Sequence, residues 1–281
     1  MSMSLHAWKE TLEELGVMGL VPEPLPAPSG VEPAKSTVTL PMHQASNKSP
    51  ARPLPRSATR ATETRVWEAP SDPVKNPLSQ SVTDCNSLDE LKSCICQCEA
   101  CPLGAGRIKF VFGEGSPNAE IMFIGEGPGR DEDIQGRPFV GRAGELLDKM
   151  IAAIEMQRSD VYIANVVKCR PPDNRTPTPK ESQTCLRYLV RQIELVGPKV
   201  LVGLGATPLR EFVGISTGIT KVRGTWHTVN VGDKELPFMP TFHPAYVLRS
   251  YTRDIRQAVW DDLLSAKNKV EELRASNLEN L

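Results

Sequence analysis

From Glu120 onward the apolar positions gather into short continuous runs. Glu120 to Gly125 (EIMFIG), Val161 to Val167 (VYIANVV) and Lys199 to Gly205 (KVLVGLG) have the uninterrupted, β-branched character of strands covered on both faces. Pro237 to Phe242 (PFMPTF) reads as a fourth strand despite its internal proline. Between the runs the apolar spacing becomes helical, over Ala143 to Glu155, Pro179 to Val196, Pro208 to Val213 and Ile255 to about Arg274. Strands alternating with helices predict an α/β fold, a three-layer α/β/α sandwich with a four-stranded, mainly parallel central sheet. Ligands of such sheets collect at the carboxyl ends of the strands, so the residues after each run are the first candidates for chemistry.

Upstream the pattern is different. Leu5, Trp8, Leu12, Leu15 and Met18 have helical spacing, which predicts a short amphipathic helix within residues 1–20, marginal alone and suited to docking a protein partner. Residues 21–84 show no period, and 12 of the chain's 25 prolines fall between Val21 and Gln80. Such a stretch buries too little apolar surface to offset its ordering entropy and reads as a disordered N-terminal arm, leaving one folded domain over 85–281. No run of about 18 apolar residues is present, which excludes a spanning helix. Lys9, Glu10, Glu13 and Glu14 interrupt the place where a secretory signal would be apolar. A cytoplasmic protein is expected, and in a reducing compartment its seven cysteines point to metal ligands before disulfides.

The first strand runs into GEGPGRDEDIQGRPFVGRAGELL, with Glu126 at its end and Gly125, Gly127 and Gly129 allowing close backbone approach to a ligand. A dinucleotide site would open directly into a helix, whereas here the charged loop Arg130 to Asp133 follows. Gly141, Ala143 and Gly144 open the next helix and leave backbone N–H groups accessible to a phosphate. Asn165, at the end of the second strand, offers a donor and an acceptor together, and His243, after the fourth, is stiffened by Pro244. Cys98 and Cys101 form C-x-x-C, while Cys169 and Cys185 lie sixteen apart; two close and two distant thiols suit zinc or an iron–sulfur cluster equally on spacing, and Cys94 and Cys96 compete for the first pair. The net charge of −1 conceals an uneven distribution, since Asn165 to Arg256 carries 14 Lys plus Arg against 7 Asp plus Glu. That excess, assigned to Lys168, Arg170, Arg175, Lys221, Arg223, Arg249, Arg253 and Arg256, suits a phosphate backbone.

From about Cys98 to Leu264 the chain resembles the type 4 uracil-DNA glycosylases, the iron–sulfur branch of the uracil-DNA glycosylase superfamily. The resemblance rests on GEGPG, Glu132 with Asp133, GRPFVGRAGELL, NVVKCRPPDNRTP, KVLVGLGA, ITKVRGTW and TFHPAYVLR, in that order. It implies a DNA repair enzyme, a hydrolase that flips uracil out of single- or double-stranded DNA and cleaves its N-glycosidic bond, leaving an abasic site for base excision repair. It further implies that Phe139 stacks on the base, Asn165 reads its edge, His243 faces O2, and Glu126 or Glu132 positions water. Gly127 would stand where other members put bulk against a 5-methyl group, and Gly141, Gly144, Leu248 and Arg249 would meet the DNA backbone or fill the vacated stack. Cys98, Cys101, Cys169 and Cys185 would hold a [4Fe-4S] cluster of structural role, in a monomer. Two alternatives remain: a variant trapping the abasic sugar through a histidine, whose basic insertion is missing after PFVG, and a non-catalytic iron–sulfur DNA-binding module.

Overall fold

A computed structural model describes residues 82–279, so the expected helix over 1–20 and nearly all of the expected arm lie outside the described residues. The arm's last three residues, Val82–Asp84, form a 3-10 turn, and Val82 packs against the core. The helices are α1 (Leu88–Ile95), α2 (Leu103–Gly106), α3 (Arg130–Gln135), α4 (Arg142–Ala153), α5 (Pro179–Val196), α6 (Ala206–Val213), α7 (Pro244–Arg249) and α8 (Arg253–Glu279). The strands are β1 (Glu114–Gly115), β2 (Ile121–Gly125), β3 (Tyr162–Asn165), β4 (Val200–Leu204), β5 (His227–Val231) and β6 (Lys234–Thr241). The bounds of α5 have local causes. Thr178 and Glu181 form a reciprocal capping box, Pro179 begins the helix, and Gly197 ends it in the left-handed conformation.

The sheet order is β1-β3-β2-β4-β6-β5, and β3, β2, β4 and β6 run parallel. The expectation of four strands is corrected to six. The two additions are antiparallel edges: β1 pairs with β3 and β5 with β6. Neither edge produces a continuous apolar run, because β1 is two residues long and β5 buries only Val229 and Val231. The four parallel strands are those read from the sequence; β2, β3 and β4 are somewhat shorter than their runs, and β6 begins earlier, at Lys234.

Side chains alternate across the sheet to make two cores. Ile121, Phe123, Ile163, Val200, Val202 and Leu204 pack with residues of α4 and α8, among them Leu147, Ile151 and Leu263. Met122, Ile124, Tyr162, Leu201 and Phe238 pack on the opposite face with Leu91, Leu189, Ile193 and Phe212 of α1, α5 and α6. Helices therefore cover both faces, as a buried parallel sheet requires. Among the described residues no helix is long and apolar enough to cross a membrane.

Gly203 of β4 lies directly beneath the Phe238 ring, where a Cβ would overlap the aromatic carbons. Gly203→Ala should therefore destabilise the domain by about 1–3 kcal/mol, the usual cost of overpacking a filled core. Urea unfolding checks this, and an unchanged midpoint would contradict it.

Candidate active site at the carboxyl ends of the parallel strands

The connection from β2 leads outward to β3, and the next returns across the sheet to β4, which makes β2 the switch point where α/β sheets open a crevice. Parallel register brings the strand ends level: Gly125 lies opposite Asn165, and Leu204 opposite Thr241. A cavity of about 610 Å³ occupies that crevice. Glu126, Gly127, Glu132, Phe139, Gly141, Asn165, His243 and Arg249 all line it. Gly144 and Leu248 do not. Gly144 is buried in the first turn of α4 against the backbone of Phe139, and Leu248 packs on the core through α7.

Asn165 is 2% exposed, and its Oδ1 has no hydrogen-bond partner. An orphaned amide oxygen in a protein interior costs about 1–3 kcal/mol, and here it lines a cavity able to admit a donor. Phe139 and His243 pack with ring centroids 5.6 Å apart and planes inclined by 32°. The His243 Nδ1 accepts the Ala245 N–H at 3.1 Å, which leaves Nε2 as the protonated nitrogen of a neutral ring. Burial, reinforced by the positive charge of Arg249, holds its pKa down to about 4.

The two carboxylates differ in their surroundings. Glu132 accepts Val140 N–H at 2.9 Å and Gly141 N–H at 3.0 Å on Oε1, and Gly129 N–H at 3.0 Å on Oε2. It ties the loop after β2 to the start of α4. Glu126 makes one such bond, accepting the Thr207 hydroxyl on Oε2 at 2.5 Å.

Thr207 and Arg158 are positioning groups that sequence reasoning missed. Phe139 adopts φ 50°, a left-handed backbone costing an aromatic residue about 1–3 kcal/mol. Arg158 holds that peptide by donating to Pro138 O at 2.5 Å and Phe139 O at 3.3 Å, while Glu114 and Asp148 anchor its guanidinium. Nothing in the spacing of Arg158 marks this role.

On the sheet's other side Cys98 and Cys101 pack against a core containing the buried Cys169 and Cys185. Cys98 and Cys101 lie close enough to raise the Cys169 pKa, and Cys169 and Cys101 close enough to raise that of Cys185. Ala100 N–H donates to the Cys98 sulfur at 3.4 Å, and the Arg107 guanidinium lies 3.6 Å from the Cys169 sulfur. Burial pushes the Cys169 thiol up to about 11 and Cys185 to about 12, so ionisation there calls for a cationic centre. Among the described residues no three His, Cys, Asp or Glu side chains are placed to hold a single metal ion. Cys94 faces elsewhere, with its sulfur 3.3 Å from that of Cys85, and the Cys96 thiol donates to Ser93 O at 3.5 Å.

The basic surplus is smaller on the surface than the sequence implied. Lys168 is fully buried, Arg175 is paired with both Glu181 oxygens at 2.8 Å, and Arg223 is paired with the buried Asp262.

The model of the uracil DNA glycosylase superfamily matches residues 112–264, which include every residue lining the cavity. The chain belongs to that superfamily. It is 49% identical over 179 residues to the type-4 uracil-DNA glycosylase of Thermotoga maritima, covering 62% of this chain and 90% of that protein. Identity to the type-4 enzyme of Archaeoglobus fulgidus is 43% over 180 residues, 63% of this chain and 89% of that one. For the type-4 enzyme of Sulfurisphaera tokodaii it is 42% over 193 residues, 67% and 85%.

A solvated imidazole titrates near 6.5, whereas His243 should remain neutral until pH approaches 4. A base whose folded value is depressed loses stability as pH falls below its unfolded value, so acid should weaken the fold before it charges this ring. The pH profile of kcat/KM should accordingly show no inflection near 6.5. A limb at 6.5 that disappears in His243→Asn would contradict this.

Proposed function

We propose that this chain excises uracil from DNA by hydrolysing the N-glycosidic bond of deoxyuridine, leaving an abasic site. The observation that carries the reading is the buried, unpartnered Asn165 Oδ1 in the strand-end cavity. An acceptor there, with the amide N–H₂ beside it, matches the N3–H and O4 edge of uracil. Cytosine presents an acceptor at N3 and a donor at the 4-amino group, and would oppose both.

A base cannot be reached within a duplex, so the nucleotide must be extruded at a cost of a few kcal/mol. Stacking on the Phe139 ring returns about 1–3 kcal/mol of that. As the bond to the sugar breaks, negative charge accumulates on uracil and positive charge on the sugar. The neutral His243 donates through Nε2–H toward O2 of the departing base, an interaction stronger in the transition state than in the ground state. Glu126 is the carboxylate for the sugar side. Thr207 holds one oxygen, and the other is left to orient water toward C1′ and to stabilise the cationic sugar. Glu132, occupied by three amides, shapes the pocket instead of acting on substrate. Water supplies hydroxyl to C1′ and a proton to the released base.

Four thiols gathered at one core, with N–H donors at Cys98 and Cys169, suit a [4Fe-4S] cluster held by Cys98, Cys101, Cys169 and Cys185. Its role is structural, tying the loop between Cys169 and Cys185 to the Cys98 turn.

The enzyme should release free uracil from a single-stranded oligonucleotide. Asn165→Ala, Glu126→Gln and His243→Ala should each lower that rate by about 100-fold or more, the scale of one lost catalytic group, with DNA binding largely retained. Absence of release by the intact protein would overturn the reading. Anaerobically purified protein should contain about four irons with matching sulfide and show visible absorption; one zinc per chain would refute the cluster.

A further inference from the structure

Lys168 lies on the segment between Asn165 and Cys169, and its side chain is fully buried without an ion-pair partner among the described residues. Such a cation is costly to desolvate, and two of its three Nζ donors have protein acceptors. It donates to the Asn165 carbonyl at 3.0 Å and to Gln192 Oε1 at 2.5 Å. Gln192 is itself fixed in α5, donating to Phe112 O at 3.0 Å and to the Tyr162 hydroxyl at 3.2 Å. The Lys168 carbonyl accepts Val111 N–H at 2.9 Å, and Cys169 is the next residue along the chain. Lys168 thus reaches back from its own anchored peptide to the backbone of the residue whose side-chain oxygen lacks a partner.

That placement answers a need the pocket itself leaves unmet. Asn165 ends its strand, and no protein group holds its Oδ1. With no hydrogen bond to its Oδ1, the side chain takes its aim from packing beside Gly125 and from its backbone, and the hydrogen bond at its carbonyl is charge-assisted and therefore among the stiffer kinds. We infer that Lys168, braced by Gln192, is a positioning residue that fixes Asn165 for base recognition. The inference rests on the proposed reading of Asn165 as the group that meets uracil.

The test compares two uncleavable DNA probes, one carrying 2′-fluoro-2′-deoxyuridine and the other a tetrahydrofuran abasic analogue. The wild-type protein should prefer the uridine probe. Lys168→Met, checked for unchanged iron content, should lose about tenfold of that preference, the scale of one charge-assisted hydrogen bond, while binding the abasic probe as before. Lys168→Gln, one atom too short to reach the Asn165 carbonyl, should behave similarly. A purely structural lysine would weaken both probes together or neither. Undiminished preference in the variants would overturn the inference alone, whereas a wild-type protein that neither prefers the uridine probe nor releases uracil would overturn the reading of the site first. Loss of the fold in both variants would also overturn it, since Lys168 would then be a requirement of the core.

Discussion

The pocket depends on Gly125 having no side chain. Parallel pairing of β2 with β3 sets Gly125 opposite Asn165, and the space over its Cα is filled twice. A Cβ there would overlap Asn165 Oδ1 and would lie 2.6 Å from the Phe139 ring. The amide proposed to meet the base edge and the ring proposed to meet its face are therefore brought together by the same empty position. Because the sheet register is fixed by burial on both faces, Asn165 cannot be moved by changing the loops alone. The loops supply orientation. Glu132 gathers three amides around the turn after β2, and Arg158 holds the left-handed peptide of Phe139, so that strain at one residue is borne by a carboxylate in the pocket wall and a guanidinium outside it.

Much of this arrangement was legible in the amino-acid order, for identifiable reasons. Strands buried on both faces must be written as continuous apolar runs, so the four parallel strands and the residues at their ends could be located without coordinates. Edge strands carry no such obligation, and β1 and β5 passed unseen. The carboxylates illustrate a second boundary. Glu126 and Glu132 are six residues apart in one motif, and nothing in their spacing says which is saturated by amides. That distinction arises only when α3 folds and turns the Glu132 side chain back over Gly129. Charge was misleading for a related reason. Lys168, Arg175 and Arg223 counted toward a basic surface, yet Lys168 is buried against a carbonyl and a glutamine, and the other two are each paired with a buried carboxylate.

The electrostatics of the cavity follow from what is kept neutral as much as from what is charged. An imidazolium would bind the departing uracil anion more strongly, but it would first have to be desolvated beside Arg249, and burial opposes that. A neutral ring already aimed through Nε2–H avoids that penalty and needs no reorganisation as the base leaves. The full charge is instead reserved for Glu126, where the sugar becomes cationic and a carboxylate attracts it. Placing the neutral donor on the β6 side and the anion after β2 separates the two roles across the width of the sheet's central strands. On these proposed roles the bond to be broken lies between them, over the end of β4, where Gly205 and Ala206 line the cavity and leave room for it.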